Sequence, residues 1–168
     1  MSRLGAAALV CAAFVTGLLV PRPVAPVQAA GTMPVSPAQG WNLHIDAQKH
    51  FGDAHPDEIA HHWCKPVSNN ITECQIYSSD NADAQLVAVE TIVGPSMYNT
   101  FPKSEQAMWH YHKDEIPKVN ATLPGKTPAE AKQIVDSISD TYGKIWVLYD
   151  PLATNGMPTG QPTVTVLR

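Results

Sequence analysis

Three short runs with strand-like patterning follow one another closely in the middle of the chain. Residues 61–67 (HHWCKPV) and 72–78 (TECQIYS) flank an Asn69-Asn70 turn. Residues 85–93 (QLVAVETIV) follow the loop Ser79-Asp80-Asn81-Ala82-Asp83 and end at Gly94-Pro95. Apolar and β-branched runs joined by such short polar loops predict an antiparallel meander. Further strands are expected over residues 41–45, 144–149 and 163–167. Pro102 opens a short helix to about Trp109. A longer helix starts at Thr127-Pro128-Ala129-Glu130, a capping box with proline at the first helical position, and is expected to run to Tyr142 and stop at Gly143. Its apolar positions Ala131, Ile134, Val135, Ile138 and Tyr142 fall on one face. Lys132, Asp136 and Asp140 occupy the other, and an acidic polar face favours packing on the sheet over lying on a membrane. The predicted fold is a single α+β domain over residues 41–168, an antiparallel meander sheet packed by one or two helices.

The ends change the picture. Met1-Ser2-Arg3 is a short basic start, residues 4–20 carry no charge, and Val27-Gln28-Ala29 precedes Ala30 as a small-residue cleavage signal. That order predicts a signal peptide over residues 1–29, cleaved near Ala29/Ala30. An uncleaved anchor is the alternative, but seventeen apolar residues are at the short limit for a span. Residues 30–40, rich in Pro, Gly, Ala and Ser, are expected to be a disordered lead-in. The expected location is therefore secreted or periplasmic. Arg3 and Arg22 leave with the leader, so nine basic residues face fifteen acidic ones, a net charge of about −6. With no basic stripe, nucleic acid and anionic membrane surfaces are excluded as expected partners.

Five of the seven histidines fall between His44 and His62, and Cys64 and Cys74 remain after the leader. If 61–67 and 72–78 form a hairpin centred on Asn69, the two cysteines lie nearly opposite each other. A disulfide there would contribute roughly 3 kcal/mol in the chain-entropy model. Buried free thiols and a metal thiolate compete with that reading, which export favours. Strand parity sends His61 and Trp63 to one face and His62 and Cys64 to the other, so at most one of the adjacent histidines joins a given face. Glu90 interrupts an apolar run on the face of Leu86, Ala88 and Ile92. A carboxylate there is paired, coordinated or protonated, unless the strand lies at an edge with Glu90 in solvent. His110 and His112 point roughly 200° apart on a helix but converge in an extended segment, and Lys113-Asp114-Glu115 reads as a solvated charge run. Two or three of His61, His62, His110 and His112, together with Glu90, form a donor set suited to zinc, iron, manganese or copper. No strong zinc signature, Gly-x-Ser-x-Gly, phosphate loop or dinucleotide fingerprint accompanies them.

The blocks His61-His62-Trp63-Cys64, Glu73-Cys74-Gln75-Ile76-Tyr77, residues 86–93 with Glu90, Trp109-His110-Tyr111-His112, Tyr142-Gly143-Lys144 and Met157-Pro158-Thr159-Gly160-Gln161-Pro162 come in one order. In that order they resemble the oil-body-associated protein (DUF1264) family, over roughly residues 41–167. Plant members are associated with lipid bodies, but the export signal and the enlarged His44–Asp57 segment of this chain mean that this location does not transfer, and the resemblance brings no established reaction or cofactor. Plant members carry a histidine shortly after Tyr-Gly-Lys, where this chain reads Ile145-Trp146-Val147-Leu148, so a role for that histidine does not transfer. Three readings follow: a His/Glu pocket that holds a divalent metal and a small ligand, or uses Glu90 as a base without metal; a non-enzymatic lipid- or surface-associated protein with a lipid as partner; and a stable domain whose histidines only satisfy hydrogen bonds.

Overall fold

Alternating apolar and polar residues build an antiparallel ladder from β1 (Leu43–Gln48), β2 (Ile59–Ser68), β3 (Ile71–Tyr77) and β4 (Leu86–Val93). The computed structural model describes residues 36–51, 58–68 and 70–165. The leader expected over 1–29, part of the lead-in, and the last residues of the terminal strand lie outside the described residues. At the β2–β3 turn Asn70 takes a left-handed φ of 61°, a conformation asparagine tolerates better than most residues.

After β4 the chain turns through two short helices, α1 (Pro95–Tyr98) and α2 (Lys103–Gln106), into β5 (His110–Tyr111) and α3 (His112–Glu115). Helix α4 (Pro128–Ser139) leads to β6 (Tyr142–Val147), and β7 (Thr163–Thr165) follows. The strand order is β1-β2-β3-β4-β6-β5, with β7 also on β6. β5 pairs with residues 142–143 of β6 and β7 with residues 145–147, so the two short strands share one edge of β6 in tandem. All pairings are antiparallel, and the fold is the expected α+β domain with its first four strands in meander order.

Two apolar clusters occupy one face of this sheet. Phe51, Ala60, Ile76, Val87, Ala88, Ile145 and Val147 form the larger; Cys64, Cys74 and Ile92 form the smaller. From β5 the chain reaches the far edge of the sheet through α3 and a 3-10 turn (Ile116–Lys118). There Asp46 and Thr122 exchange backbone hydrogen bonds of 2.9 and 2.8 Å, and Gln48 N–H donates to the Val119 carbonyl. This strap covers backbone groups of edge strand β1, which would otherwise be open to pairing.

Several expected boundaries move. The helix expected from Pro102 to about Trp109 is only α2, with Pro102 as its N-cap, and α1 precedes it. The capping box at Thr127 and Glu130 is formed in full, but α4 ends at Ser139, and Tyr142 and Gly143 belong to β6. Ala131, Ile134, Val135 and Ile138 face inward yet are only half-buried. The reason is a largely apolar chamber of about 390 Å³ lined by Ile134 and Ile138 together with Leu43, Ile45, Cys64 and Ile92.

Candidate metal centre

Glu90 sits on β4 between β3 and β6, with Cys74 and Ile145 as its cross-strand partners. It is therefore on an interior strand and not at an edge, and it is only 5% exposed. His110 lies on β5 opposite Gly143, and His112 begins α3; they are 7% and 6% exposed. The extended backbone at Tyr111 lets both rings converge, with centroids 5.0 Å apart and planes nearly perpendicular. Oε1 of Glu90 stands 3.2 Å from Nε2 of His110 and 3.3 Å from Nε2 of His112. These three donor atoms all lie within 4.8 Å of one another.

The surrounding hydrogen bonds fix what the rings present. Thr141 donates its hydroxyl hydrogen to the Ile138 carbonyl, so its oxygen accepts from Nδ1–H of His112 at 2.8 Å. That leaves Nε2 facing the Glu90 carboxylate at 3.3 Å, where it can donate a proton or, once that proton is gone, bind a cation. His110 is placed differently. Its Nε2 lies 2.9 Å from Oε2 of Glu115 as well as 3.2 Å from Glu90, yet neither of its ring nitrogens has an aligned hydrogen bond. Oε2 of Glu115 and Nε2 of His50 are likewise buried without one, although His50 and Glu115 are in contact. Polar atoms in this state are uncommon in folded proteins and call for an explanation.

Electrostatics follow from the packing. Burial opposes ionisation of Glu90, but His110 and His112 outweigh it and hold the carboxylate well below its usual range. Burial also works against a charged His110, yet Glu115 and Glu90 push it up to about 9. Glu115, desolvated in turn, is held at about 2 by His110 and His50. Burial lowers His62, whose charged form has little compensation.

Of the histidines singled out in the sequence, the fold brings His110 and His112 together with Glu90. His62 lines the same cavity of about 60 Å³, with Nδ1 directed at the Ala60 and Ile45 carbonyls. His61 is on the opposite face beside His44, Asp46 and Asp80, because neighbouring strand residues point to opposite sides. Cys64 and Cys74 face each other in the ladder and form a disulfide that lines the cavity. Their sulfurs are thus not available as thiolate ligands.

Three residues beyond that set belong to the site. Glu115 is one helical turn after His112, a His-x-x-Glu spacing that presents both side chains on one face, although the charge run around it suggested solvent. His50 lies just beyond β1 in a stretch without period. Gly143 looks like a helix stop in the sequence, but a Cβ there would overlap Glu90 Oε1 and the His110 ring. Its missing side chain provides the space in which the two donors meet.

With this geometry in place, the ordered motifs acquire a wider context. The chain matches, over residues 35–167, the family described as "Protein of unknown function (DUF1264)". It belongs to the DUF1264 family. It is 28% identical over 137 residues to oil body-associated protein 1B of Arabidopsis thaliana, covering 81% of this chain and 57% of the relative. It is 32% identical over 106 residues to oil body-associated protein 2A of Zea mays, covering 63% and 42%. The chain thus spans about half the length of these curated relatives. No solved structure matches it.

Proposed function

We propose that this DUF1264 domain holds a divalent transition-metal ion between Glu90, His110 and His112, with Glu115 beside His110 as a further carboxylate donor. One observation carries the reading: Nε2 of His112, on a ring held from its other side by Thr141, stands 3.3 Å from the Glu90 carboxylate, a place that either a proton or a metal ion can occupy. Two electron-rich atoms directed at each other need a cation or a proton between them. A buried ion also accounts for the unaligned nitrogen of His110, since donor atoms around a metal aim at the ion and not at one another. Two imidazoles and carboxylates suit zinc, iron, manganese or copper. Thr141 is the outer partner that orients His112. With Glu90, His110 and His112 as ligands, the next coordination position can go to Glu115 or to water or a small ligand, for which the adjoining cavity has room. The disulfide fits an oxidising compartment, which supports the export expected from residues 1–29.

The test is metal content by mass spectrometry on protein exported natively and purified without a histidine tag. Near-stoichiometric metal that is lost in folded Glu90→Gln and His110→Ala variants supports the reading. Metal-free protein that stays so after reconstitution removes it.

A second reading draws on the chamber beneath α4 and on the names of the relatives. The chamber and the metal pocket share Ile45, Cys64, Ile92 and Ile138 as walls. In this reading the domain is a non-enzymatic lipid-associated protein that receives an alkyl chain beneath α4. It predicts binding to liposomes or droplets that survives a chelator and weakens when Ile138 is replaced by Asp.

A further inference from the structure

The opposite face of the sheet carries a second set of convergent donors. His44 and Asp46 alternate on β1, so both point to this side, and Asp46 is paired in the ladder with His61 of β2. Asp80 comes from the β3–β4 loop. That loop is closed by its own hydrogen bonds: Ser78 N–H donates to the Gln85 carbonyl at 3.0 Å and Ala84 N–H to the Asn81 carbonyl at 3.0 Å. Three donors are therefore fixed by strand pairing and the fourth by a tied loop.

Their atoms form a closed ring. Oδ1 of Asp46 lies 3.0 Å from Nε2 of His44 and 2.8 Å from Nδ1 of His61. Asp80 straddles the same two nitrogens, Oδ1 at 2.9 Å from His44 and Oδ2 at 3.1 Å from His61. Each imidazole nitrogen thus meets two carboxylate oxygens, and one N–H can point along its axis at only one of them. Ligands bound to zinc at about 2.0–2.2 Å stand roughly 3 Å from their neighbours in a four- to six-coordinate shell, which matches these separations. The His44 ring is further held by Trp63, stacked on it at 4.2 Å with planes 8° apart. Immobilised ligand rings of this kind favour coordination, because less freedom is lost when the ion arrives.

We infer that His44, Asp46, His61 and Asp80 form a second divalent-cation site, of His₂Asp₂ type, on the outer face of the sheet. It is separate from the buried pocket, and its side chains come from β1, β2 and the β3–β4 loop. Imidazoles bind metal in their neutral form, so as ligands the set brings the two negative charges of its carboxylates, which a divalent ion neutralises. Asp80 is 40% exposed and also lines a polar hollow of about 340 Å³ with Trp63 and Tyr77, giving the ion an open approach from solvent. A bound ion would clamp the loop to edge strand β1 and its neighbour β2.

Zinc itself is the probe, titrated against a chromophoric chelator with the metal-stripped full chain. The wild type is expected to take up two equivalents. His61→Ala and Asp80→Asn each remove one equivalent or weaken it at least about tenfold, and leave the other as it was. Glu90→Gln loses the complementary equivalent and keeps the one that depends on Asp80, so failure of the buried site and failure of this one are read separately. Asp80 is in an exposed loop, so Asp80→Asn remains a test even if His61→Ala does not fold. Unchanged zinc stoichiometry and affinity in Asp80→Asn would overturn the inference.

Discussion

The two faces of the sheet carry the same chemistry in opposite surroundings. On the inner face Glu90, His110 and His112 are buried between two apolar clusters, whereas on the outer face His44, Asp46 and His61 are half-buried and Asp80 is exposed. The chemical groups are alike, so the difference lies in solvation. In the outer cluster water reaches Asp80 and part of the other donors, and weakens the charges it reaches. In the sealed one an unpaired charge has no such alternative, and the inner carboxylates and imidazoles depend on one another. The inner pocket is thus a site that must be filled or charge-paired to be stable, and the outer one can stay empty at little cost.

The largest expected contrast is in stability. Glu90→Ala removes the centre of the sealed cluster and is expected to destabilise the metal-free domain by roughly 3–5 kcal/mol, measured by denaturant unfolding. A loss no larger than that of an outer-face substitution would break the comparison. Next comes pH. In the metal-free protein His110 keeps its proton to about pH 9, and a metal must displace it. Affinity at the inner site should therefore rise roughly tenfold per pH unit from about pH 7 and level off above 9. The stability that His110 gains from its partners has the opposite course. It is complete below the unfolded value of 6.5 and is lost as pH rises through about 9. Glu115 contributes above 4.5 and loses its contribution as pH falls through about 2, so this pair contributes in full between about pH 4.5 and 6.5. A flat profile from 5 to 9 in thermal unfolding would count against the sealed pairing.

Smaller effects sharpen the contrast. Gly143→Ala crowds Glu90 and His110 and is expected to cost about 1–3 kcal/mol, with loss of inner-site metal and retention of the outer equivalent. Asp80→Asn should change stability by less than about 1 kcal/mol, even though it empties the outer site.

Much of the frame was legible because it depends on local rules. The short connection between β2 and β3 goes with a register that puts Cys64 against Cys74. Parity alone separates His61 from His62. Glu90 stood out because a charge in an apolar strand demands a partner, and its partners are the two histidines of the Trp-His-Tyr-His stretch. The rest depends on tertiary placement. Glu115 looks like part of a surface charge run until α3 places it one turn beyond His112, against His110. Gly143 resembles a helix stop because nothing local reveals that two side chains from other strands need the space of its missing Cβ. The outer cluster was missed for a similar reason: Asp80 is a loop residue, and only the meander carries that loop back over β1 and β2. Ile134 and Ile138 show the limit of a hydrophobic stripe, which tells which face turns inward but not how closely it packs.

The most direct measurement is the anomalous difference map of a crystal of the full domain soaked in zinc, collected at the zinc edge. The account predicts a peak on the inner face, at coordination distance from Glu90 Oε1 and the Nε2 atoms of His110 and His112. Density restricted to the outer face, or no peak at saturating zinc, would contradict it.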